Sequence, residues 1–482
     1  MGITSYAFVL AFFPATLFGW IILNKINQYN LADLFLILAS FVFIGSYDYR
    51  FVLIILLTVY VNYTFTKYMS GIVQLKSRKA VMIILVAANI GVLFLLKYGN
   101  WLRVVINREA VLWKLLIPIG ISFYTLEQVR FIVDVYRNGQ MEYTFREYIL
   151  FSIFFPVIVS GPILRHDDFI VQLRSKDCRF ISTENVSEGL MSFCLGMGKK
   201  VIIASWLGKI ANFGFDNVES AKSMTMILSM FAYTLQLYFD FSGYCDIVEG
   251  VASMMGFKLP MNFNSPYKAS SIGEFWKRWH MTLTDFLTRY VYIPLGGNRK
   301  GRIRQYINIF IVFLVSGLWH GASFTYVLWG MMHGICLIAD KTIGKFWAKL
   351  PVFVRRCVTF SMVALMWVPF RANSTGDACI IYRMLFWGDR TIVKDFGQYT
   401  LPMVTYLCEN YAGISQEILV SVQNIMTVLI MILLLGIVFF AKSTRELIKG
   451  RNGNWVAVIC GIILFVAVLH FQEVGTFIYE GF

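Results

Sequence analysis

The chain is 482 residues long, 58% hydrophobic and 17% aromatic, with 15% charged residues and a formal net charge of +15. That much apolar surface exceeds what a soluble core of this length hides, which excludes a soluble enzyme and indicates a polytopic membrane protein. The positive charge does not indicate nucleic acid, because the basic residues fall in short loops between apolar runs rather than on one soluble face.

Apolar runs of roughly 17 to 25 residues suffice to cross a bilayer as helices. The clearest lie near 6–23, 31–47, 51–66, 80–98, 148–164, 224–241, 304–319, 323–340, 355–371, 425–441 and 455–471, with shorter or broken ones near 114–126 and 189–205. An all-α protein of roughly 11 to 13 hydrophobic helices is expected. No Lys or Arg precedes Ala7 and the first run leads straight into a second, so no removable signal peptide is expected. Tyr6 stands where an N-myristoylation signal needs Ser or Thr.

Charge places the basic loops Lys67 to Lys79, Arg299 to Arg304, Lys341 to Arg356 and Lys442 to Arg451 in the cytoplasm. The acid-rich segment 372–424 and both termini then lie outside. Lys97, Arg103, Arg108 and Lys114 run against this scheme, so charge leaves the topology of 97–223 open. His166, in Leu164-Arg-His-Asp-Asp168, is most simply a loop residue.

Residues 240–300 carry Asp240, Asp246, Glu249, Glu274, Lys277, Arg278, His280, Asp285 and Arg289 among dense aromatics, a composition that cannot lie against lipid. They form a re-entrant or interfacial element. Asp240, at the end of an apolar run, either pairs with a buried Arg or His or orients a catalytic imidazole. Ser271-Ile-Gly-Glu274 is a capping box that predicts a helix through Phe275-Trp-Lys-Arg-Trp-His280 to Phe286-Leu287, closed by Pro294 and Gly296-Gly297. Helical spacing gives one stripe of Phe275, Trp279, Leu283, Phe286 and Tyr290 and another of Trp276, His280 and Leu287, with Lys277, Arg278, Asp285 and Arg289 on the remainder. Periodicity alone fits an interfacial amphipathic helix. His280 fits it least, because a buried neutral imidazole on the apolar side needs a hydrogen-bond partner.

His320 lies in the apolar run Val312-Phe-Leu-Val-Ser-Gly-Leu-Trp-His320, where an ionisable group costs several kcal/mol and is by default functional. Gly317 and Gly321 offer a structural alternative, a Gly-x-x-x-Gly spacing for close helix approach. His333 repeats the Gly-x-x-His-Gly pattern thirteen residues on. In one helix that is a rotation of roughly 220°, so the two imidazoles share a site only if the chain turns near Gly321-Ala-Ser323. His470 is most simply a satisfied helix-end residue.

The eight cysteines, at 178, 194, 245, 336, 357, 379, 408 and 460, show no Cys-x-x-Cys pair and no metal-ligand spacing with the histidines, although Cys379 and Cys408 share an outer segment where a disulfide can form. No metal site is expected. Without repeats or linkers, residues 1–482 read as one membrane domain. Soluble-enzyme signatures are missing from the sequence, so catalysis would rest on imidazole and positioning. A membrane-embedded histidine suits proton removal from a hydroxyl, which points to acyl transfer from an activated thioester to an alcohol.

These residues resemble the membrane-bound O-acyltransferase family, and within it the bacterial branch that O-acetylates alginate. The likeness rests on Leu116-Ile-Pro-Ile-Gly-Ile-Ser-Phe-Tyr124, Val159-Ser-Gly-Pro-Ile-Leu-Arg165, Asp240-Phe-Ser-Gly-Tyr244, Asn262-Phe-Asn-Ser-Pro-Tyr267, Glu274-Phe-Trp-Lys-Arg-Trp-His280, Tyr292-Ile-Pro-Leu-Gly-Gly-Asn298 and Gly317-Leu-Trp-His320-Gly. By that resemblance His320 matches the catalytic histidine and His280 the second characteristic one, with Trp319, Trp276, Trp279, Asp240, Arg278, Asn262 and His333 as tunnel-lining or supporting candidates. It implies helices tilted around a central histidine-lined tunnel in a bacterial cytoplasmic (inner) membrane. It also implies no bound cofactor, acetyl-CoA or another acyl thioester as donor, a cell-surface or secreted polysaccharide as acceptor, and an extracytoplasmic SGNH-hydrolase-like partner. Thr288-Arg289 depart from the pattern, since the family often has Arg-Asp before the tyrosine that stands here as Tyr290. The alternatives are D-alanyl transfer to teichoic acid from an acyl carrier protein, and a polymer or proton-coupled transporter. Against the transporter, the two halves show no matched pair of broken segments.

Overall fold

The computed structural model describes residues 1–107, 109, 111–392, 416–450 and 454–473, and among them the regular elements are all helices. A π-helical turn Ala7–Phe12 leads into α1 (Phe13–Lys25), followed by α2 (Tyr29–Gly45), α3 (Tyr49–Ser70) and α4 (Leu75–Ile106). Next come α5 (Ile121–Asn138), α6 (Phe145–Ile153), α7 (His166–Arg174) and α8 (Lys176–Arg179). α9 (Thr183–Met197), a π-helical turn Gly198–Ala204 and α10 (Ser205–Phe215) form one continuous rod, and α11 (Ser223–Met254) follows. The middle element holds α12 (Ile272–Trp276), α13 (Met281–Leu287) and a π-helical turn Thr288–Tyr292. α14 (Arg302–His320), α15 (Phe324–Trp347), α16 (Val352–Arg371), α17 (Thr375–Trp387), α18 (Gln416–Phe440), α19 (Thr444–Ile448) and α20 (Asn454–Leu469) complete the chain.

Among the described residues six helices are long and apolar enough to cross a membrane: Ala7–Lys25, Tyr49–Ser70, Leu75–Ile106, Thr183–Phe215, Val352–Arg371 and Val420–Phe440. Tyr29–Gly45 and Trp455–Leu469 are shorter apolar helices. The chain is therefore an all-α polytopic membrane protein. The expected span at 148–164 is not one helix, because α6 ends at Ile153 and the chain turns through Pro156 and Gly161-Pro162 before α7. That turn packs onto the start of α5, where Gly120 has φ 71° and a Cβ would stand 2.0 Å from the Ile158 carbonyl oxygen. His166 is not a loop residue either. It opens α7, 1% exposed, with its ring 5.0 Å from that of Phe131 and 5.3 Å from that of Tyr143.

Sequence chemistry accounts for several helix starts. Asp48 accepts from the Arg50 N–H ahead of α3, Thr144 and Glu147 form a reciprocal capping box ahead of α6, and Ser182 caps α9. The core is built around α11. Gly243 and Gly250 on it face Gly196 and Gly189 on α9 so closely that a Cβ at Gly250 would lie 2.5 Å from the Gly189 carbonyl oxygen. Backbone-on-backbone approach is how apolar helices associate when no water drives them together.

α14 and α15 form an antiparallel hairpin on the same principle. A Cβ at Gly317 would sit 2.4 Å from the Tyr326 carbonyl oxygen, and one at Gly330 would sit 2.4 Å from that of Phe313. α4 runs antiparallel to α5: Arg78 near its start donates to the Val135 carbonyl (2.9 Å), and Lys97, much later, reaches Ser122 (3.2 Å). Arg103 stacks on Trp113, 4.5 Å from its ring centroid. Lys97 and Arg103 are thus engaged within the protein, while Arg108 lies outside the described residues. Cys408, and with it the pairing with Cys379, also lies outside them.

Candidate functional site

The predicted helix after Ser271 begins as expected, with Ser271 Oγ accepting from the Glu274 N–H (3.2 Å). It does not continue. α12 ends at Trp276, and His280 takes left-handed backbone (φ 44°, ψ 54°) before α13 restarts at Met281. The break is held by a neighbouring extended strand of chain: the Asn264 N–H donates to the Arg278 carbonyl (2.9 Å) and the Met281 N–H to the Asn262 carbonyl (3.0 Å). These bonds turn His280 inward, where it is 1% exposed.

Asn262 is the hub of this turn. Its side-chain oxygen accepts from the Thr282 N–H (3.1 Å) and hydroxyl (2.8 Å) and lies 3.3 Å from His280 Nδ1. The partner that a buried imidazole requires is therefore supplied from eighteen residues upstream. Arg278 stays at the rim, paired with Glu274 at 2.9 Å and donating to the Asn264 carbonyl (3.2 Å). Trp279 is buried in an aromatic cluster with Phe263, Phe275 and Trp367.

His320 is the last residue of α14, and the chain turns immediately after it through an extended Gly321. A Cβ at Gly321 would lie 2.1 Å from the Tyr326 ring, so this sharp return needs glycine there. The turn brings the two Gly-x-x-His-Gly histidines to one place, as required for a shared site. His320 and His333 both meet the Trp329 ring, at 5.0 and 4.8 Å between centroids. Trp276 Nε1 donates to His333 Nδ1 (3.2 Å). Trp319 lies between the other pair, 4.9 Å from His320 and 6.3 Å from His280. Phe370 closes the remaining side of His320 at 5.2 Å. All three imidazoles are buried in a box of aromatic rings.

Asp240 forms an ion pair with the buried Lys200, which projects from the π-helical turn Gly198–Ala204. The partner is thus a lysine rather than the arginine or histidine expected from the sequence. A further residue of the site, not expected there from the sequence, is Lys97, whose Nζ donates to the Trp319 carbonyl (2.6 Å) and sits 5.8 Å over the Trp319 ring. A lone lysine between Lys79 and Arg103 in an apolar run was the available signal.

A largely apolar cavity of about 570 Å³ borders this cluster at Trp319. It is walled by Met82 to Tyr98 of α4, Thr125 to Arg137 of α5, Leu283 to Pro294, and Val315, Leu318 and Trp319 of α14. Trp319 belongs to its wall, while none of the three buried histidines lines it. A second cavity of about 280 Å³ lies behind Met281 and Thr282 and is more polar, with Arg130, Arg165, Asp168, Lys258 and Asp285 in its wall. No group of His, Cys, Asp and Glu that could hold a metal occurs among the described residues. The arrangement offers a buried imidazole, His320, set behind the Trp319 wall of an apolar cavity, with a second imidazole, His280, against the same indole.

A family model described as the membrane-bound O-acyltransferase family matches residues 138–370. The chain is 34% identical over 409 residues, 77% of each protein, to a peptidoglycan O-acetyltransferase of Helicobacter pylori. It is 35% identical over 402 residues, 80% of this chain and 75% of the relative, to a probable alginate O-acetylase AlgI of Pseudomonas aeruginosa. A teichoic acid D-alanyltransferase of Bacillus subtilis is 29% identical over 240 residues, 48% of this chain and 60% of the relative.

Proposed function

The chain belongs to the membrane-bound O-acyltransferase family, and we propose that it carries an acetyl group from a thioester donor toward a hydroxyl of a cell-surface or secreted polysaccharide, with His320 as general base. The observation that carries this reading is the convergence of His320 and His280 on the Trp319 ring, which is itself part of the wall of an apolar cavity about 570 Å³ in volume. In the proposed step His320 takes the proton of the acceptor hydroxyl as its oxygen attacks the thioester carbonyl. The C–O bond forms, the C–S bond breaks, and the departing thiolate recovers the proton from the imidazolium. A positioned general base contributes typically 10²–10⁴-fold to such a step. His280, held by Asn262, positions or polarises the reacting groups.

The cavity would admit the donor, acetyl-CoA or another acyl thioester. The acceptor hydroxyl belongs to a sugar or to a serine of a partner. By the family resemblance that partner is an extracytoplasmic SGNH-hydrolase-like protein, and the membrane is the bacterial inner membrane. D-alanyl transfer from a carrier protein stays the alternative. It is less favoured, since the D-alanyltransferase matches cover about half of this chain and the acetyl-transferring relatives about four fifths.

The test is thiol release from acetyl-CoA by purified protein, with mass spectrometry of the cell-surface and secreted polysaccharide of cells. His320→Ala is expected to lower the rate by roughly 10²-fold or more. Release at the wild-type rate would end the assignment, and D-alanyl esters in place of acetyl would move it to the alternative.

A further inference from the structure

We propose that Lys97 is a positioning residue of the transfer reaction: its ammonium, reaching from α4 to the last turn of α14, fixes the peptide and the indole ring that set the place of His320. The inference rests on the reading of His320 as the reacting base.

Lys97 is the one charged residue between Lys79 and Arg103, in the last third of the apolar helix α4. A lysine at such depth is expensive and is kept where it does something. Here it is half-buried, and its Nζ donates to the Trp319 carbonyl at 2.6 Å and to Ser122 Oγ at 3.2 Å. α14 ends one residue later and the chain turns away, so the Trp319 carbonyl is among those left without an intrahelical donor. The ammonium supplies the missing donor at the negative end of the helix dipole.

The consequence reaches the imidazole through covalent geometry. The Trp319 carbonyl and the His320 N–H belong to one planar peptide, so holding that oxygen holds the Cα from which the His320 side chain projects. The same ammonium lies over the Trp319 ring at 5.8 Å. That ring is braced from α5 by Phe123, edge-on at 5.2 Å, and its Nε1 donates to the Ser122 carbonyl at 3.5 Å. Lys97, Ser122, Phe123 and Trp319 therefore knot three helices beside the cavity that Trp319 helps to wall. His280 and His320 both lean on the indole inside that knot.

Lys97→Met keeps the length and apolar bulk of the side chain and removes the donor, and Lys97→Arg keeps a charged donor. Both would be compared with wild type and His320→Ala in thiol release from acetyl-CoA, alongside thermal unfolding. The expected result is a kcat roughly ten- to hundredfold lower for Lys97→Met, the size of loss that a misplaced catalytic group produces. KM for acetyl-CoA should stay within about twofold, because the donor contact is not what is lost. Unfolding should be little changed, and Lys97→Arg should recover much of the rate. A wild-type kcat in Lys97→Met with an inactive His320→Ala would overturn this inference alone. Activity that falls only in step with the folded fraction, and equally in Lys97→Arg, would reduce Lys97 to a structural tether and overturn it too. Full activity in His320→Ala would instead overturn the functional reading and take this inference with it.

Discussion

His280 has φ +44°, a backbone region that L-residues avoid at a penalty of roughly 1–2 kcal/mol, while a glycine enters it freely. That strain separates two substitutions that remove the same ring. His280→Gly should unfold at a higher temperature than His280→Ala, by the equivalent of roughly 1 kcal/mol, while both lower transfer activity. Equal melting points would show that the left-handed turn is not maintained by its surroundings. Those surroundings centre on Asn262. Replacing it with Ala strands the buried Thr282 N–H and hydroxyl, at about 1–3 kcal/mol for each unsatisfied group, and frees the imidazole. Asn262→Ala should therefore lose stability and kcat together in melting and thiol-release assays, and unchanged kcat would remove Asn262 from the site. Asn262 and His280 were legible as separate motifs, but their contact was not. Eighteen residues of intervening chain leave no period to read, and the bond depends on the helix breaking where helical spacing predicted continuity.

At the scale of elements, what the sequence showed well was glycine at close contacts. Gly317 and the turn at Gly321 were readable as packing and return signals, and the hairpin of α14 and α15 uses both. The stripe of Gly189, Gly196, Gly243 and Gly250 was not recognised, because its partners lie on two helices far apart in sequence. Gly330→Val should wedge the hairpin, since its first carbon would stand 2.4 Å from the Phe313 carbonyl oxygen. A loss of about 1–3 kcal/mol is expected, with lower activity. Gly344→Ala on the same helix meets nothing within 4 Å and should be neutral or slightly stabilising in the same melting assay. A second joint, outside the six spans, responds to pH. Burial alone would raise the carboxyl of Glu147, but hydrogen bonds from Arg174 and Thr144 outweigh it and hold it down to about 2, against an ordinary value of 4.5. A depressed carboxylate stabilises fully above pH 4.5 and loses that contribution as pH falls from there toward 2. The melting temperature of wild type should therefore drop over this window more than that of Glu147→Gln, whose side chain does not titrate. Parallel curves would mean that the α6–α7 joint does not limit stability.

For the whole molecule, composition alone settled that the chain is a helical membrane protein, because no packing of 482 residues hides so many apolar side chains from water. Loop charge was a weaker guide. It counted Lys97 and Arg103 as topology signals, although one is spent inside the protein and the other on an indole, and charge carries no record of where a side chain points. The cavity was invisible for a related reason: its wall comes from α4, α5, the α13 segment and α14, each contributing side chains that look like ordinary lipid-facing or core positions. If this space admits the donor, filling it should act without touching any imidazole. Val129→Trp places an indole in the middle of the α5 wall, and Ile54→Trp does the same in a separate apolar cavity of about 210 Å³ walled by α3, α4 and α5. The expected outcome is a rise in KM for acetyl-CoA or a loss of thiol release of about tenfold or more for Val129→Trp, with a nearly wild-type rate for Ile54→Trp and similar melting points for both. Unhindered turnover in folded Val129→Trp would mean that the donor reaches His320 by another way. The polar cavity behind Met281 and Thr282 would then be the place to block next, since it lies on the other side of α13 from the first and approaches His280 through the Asn262 hub.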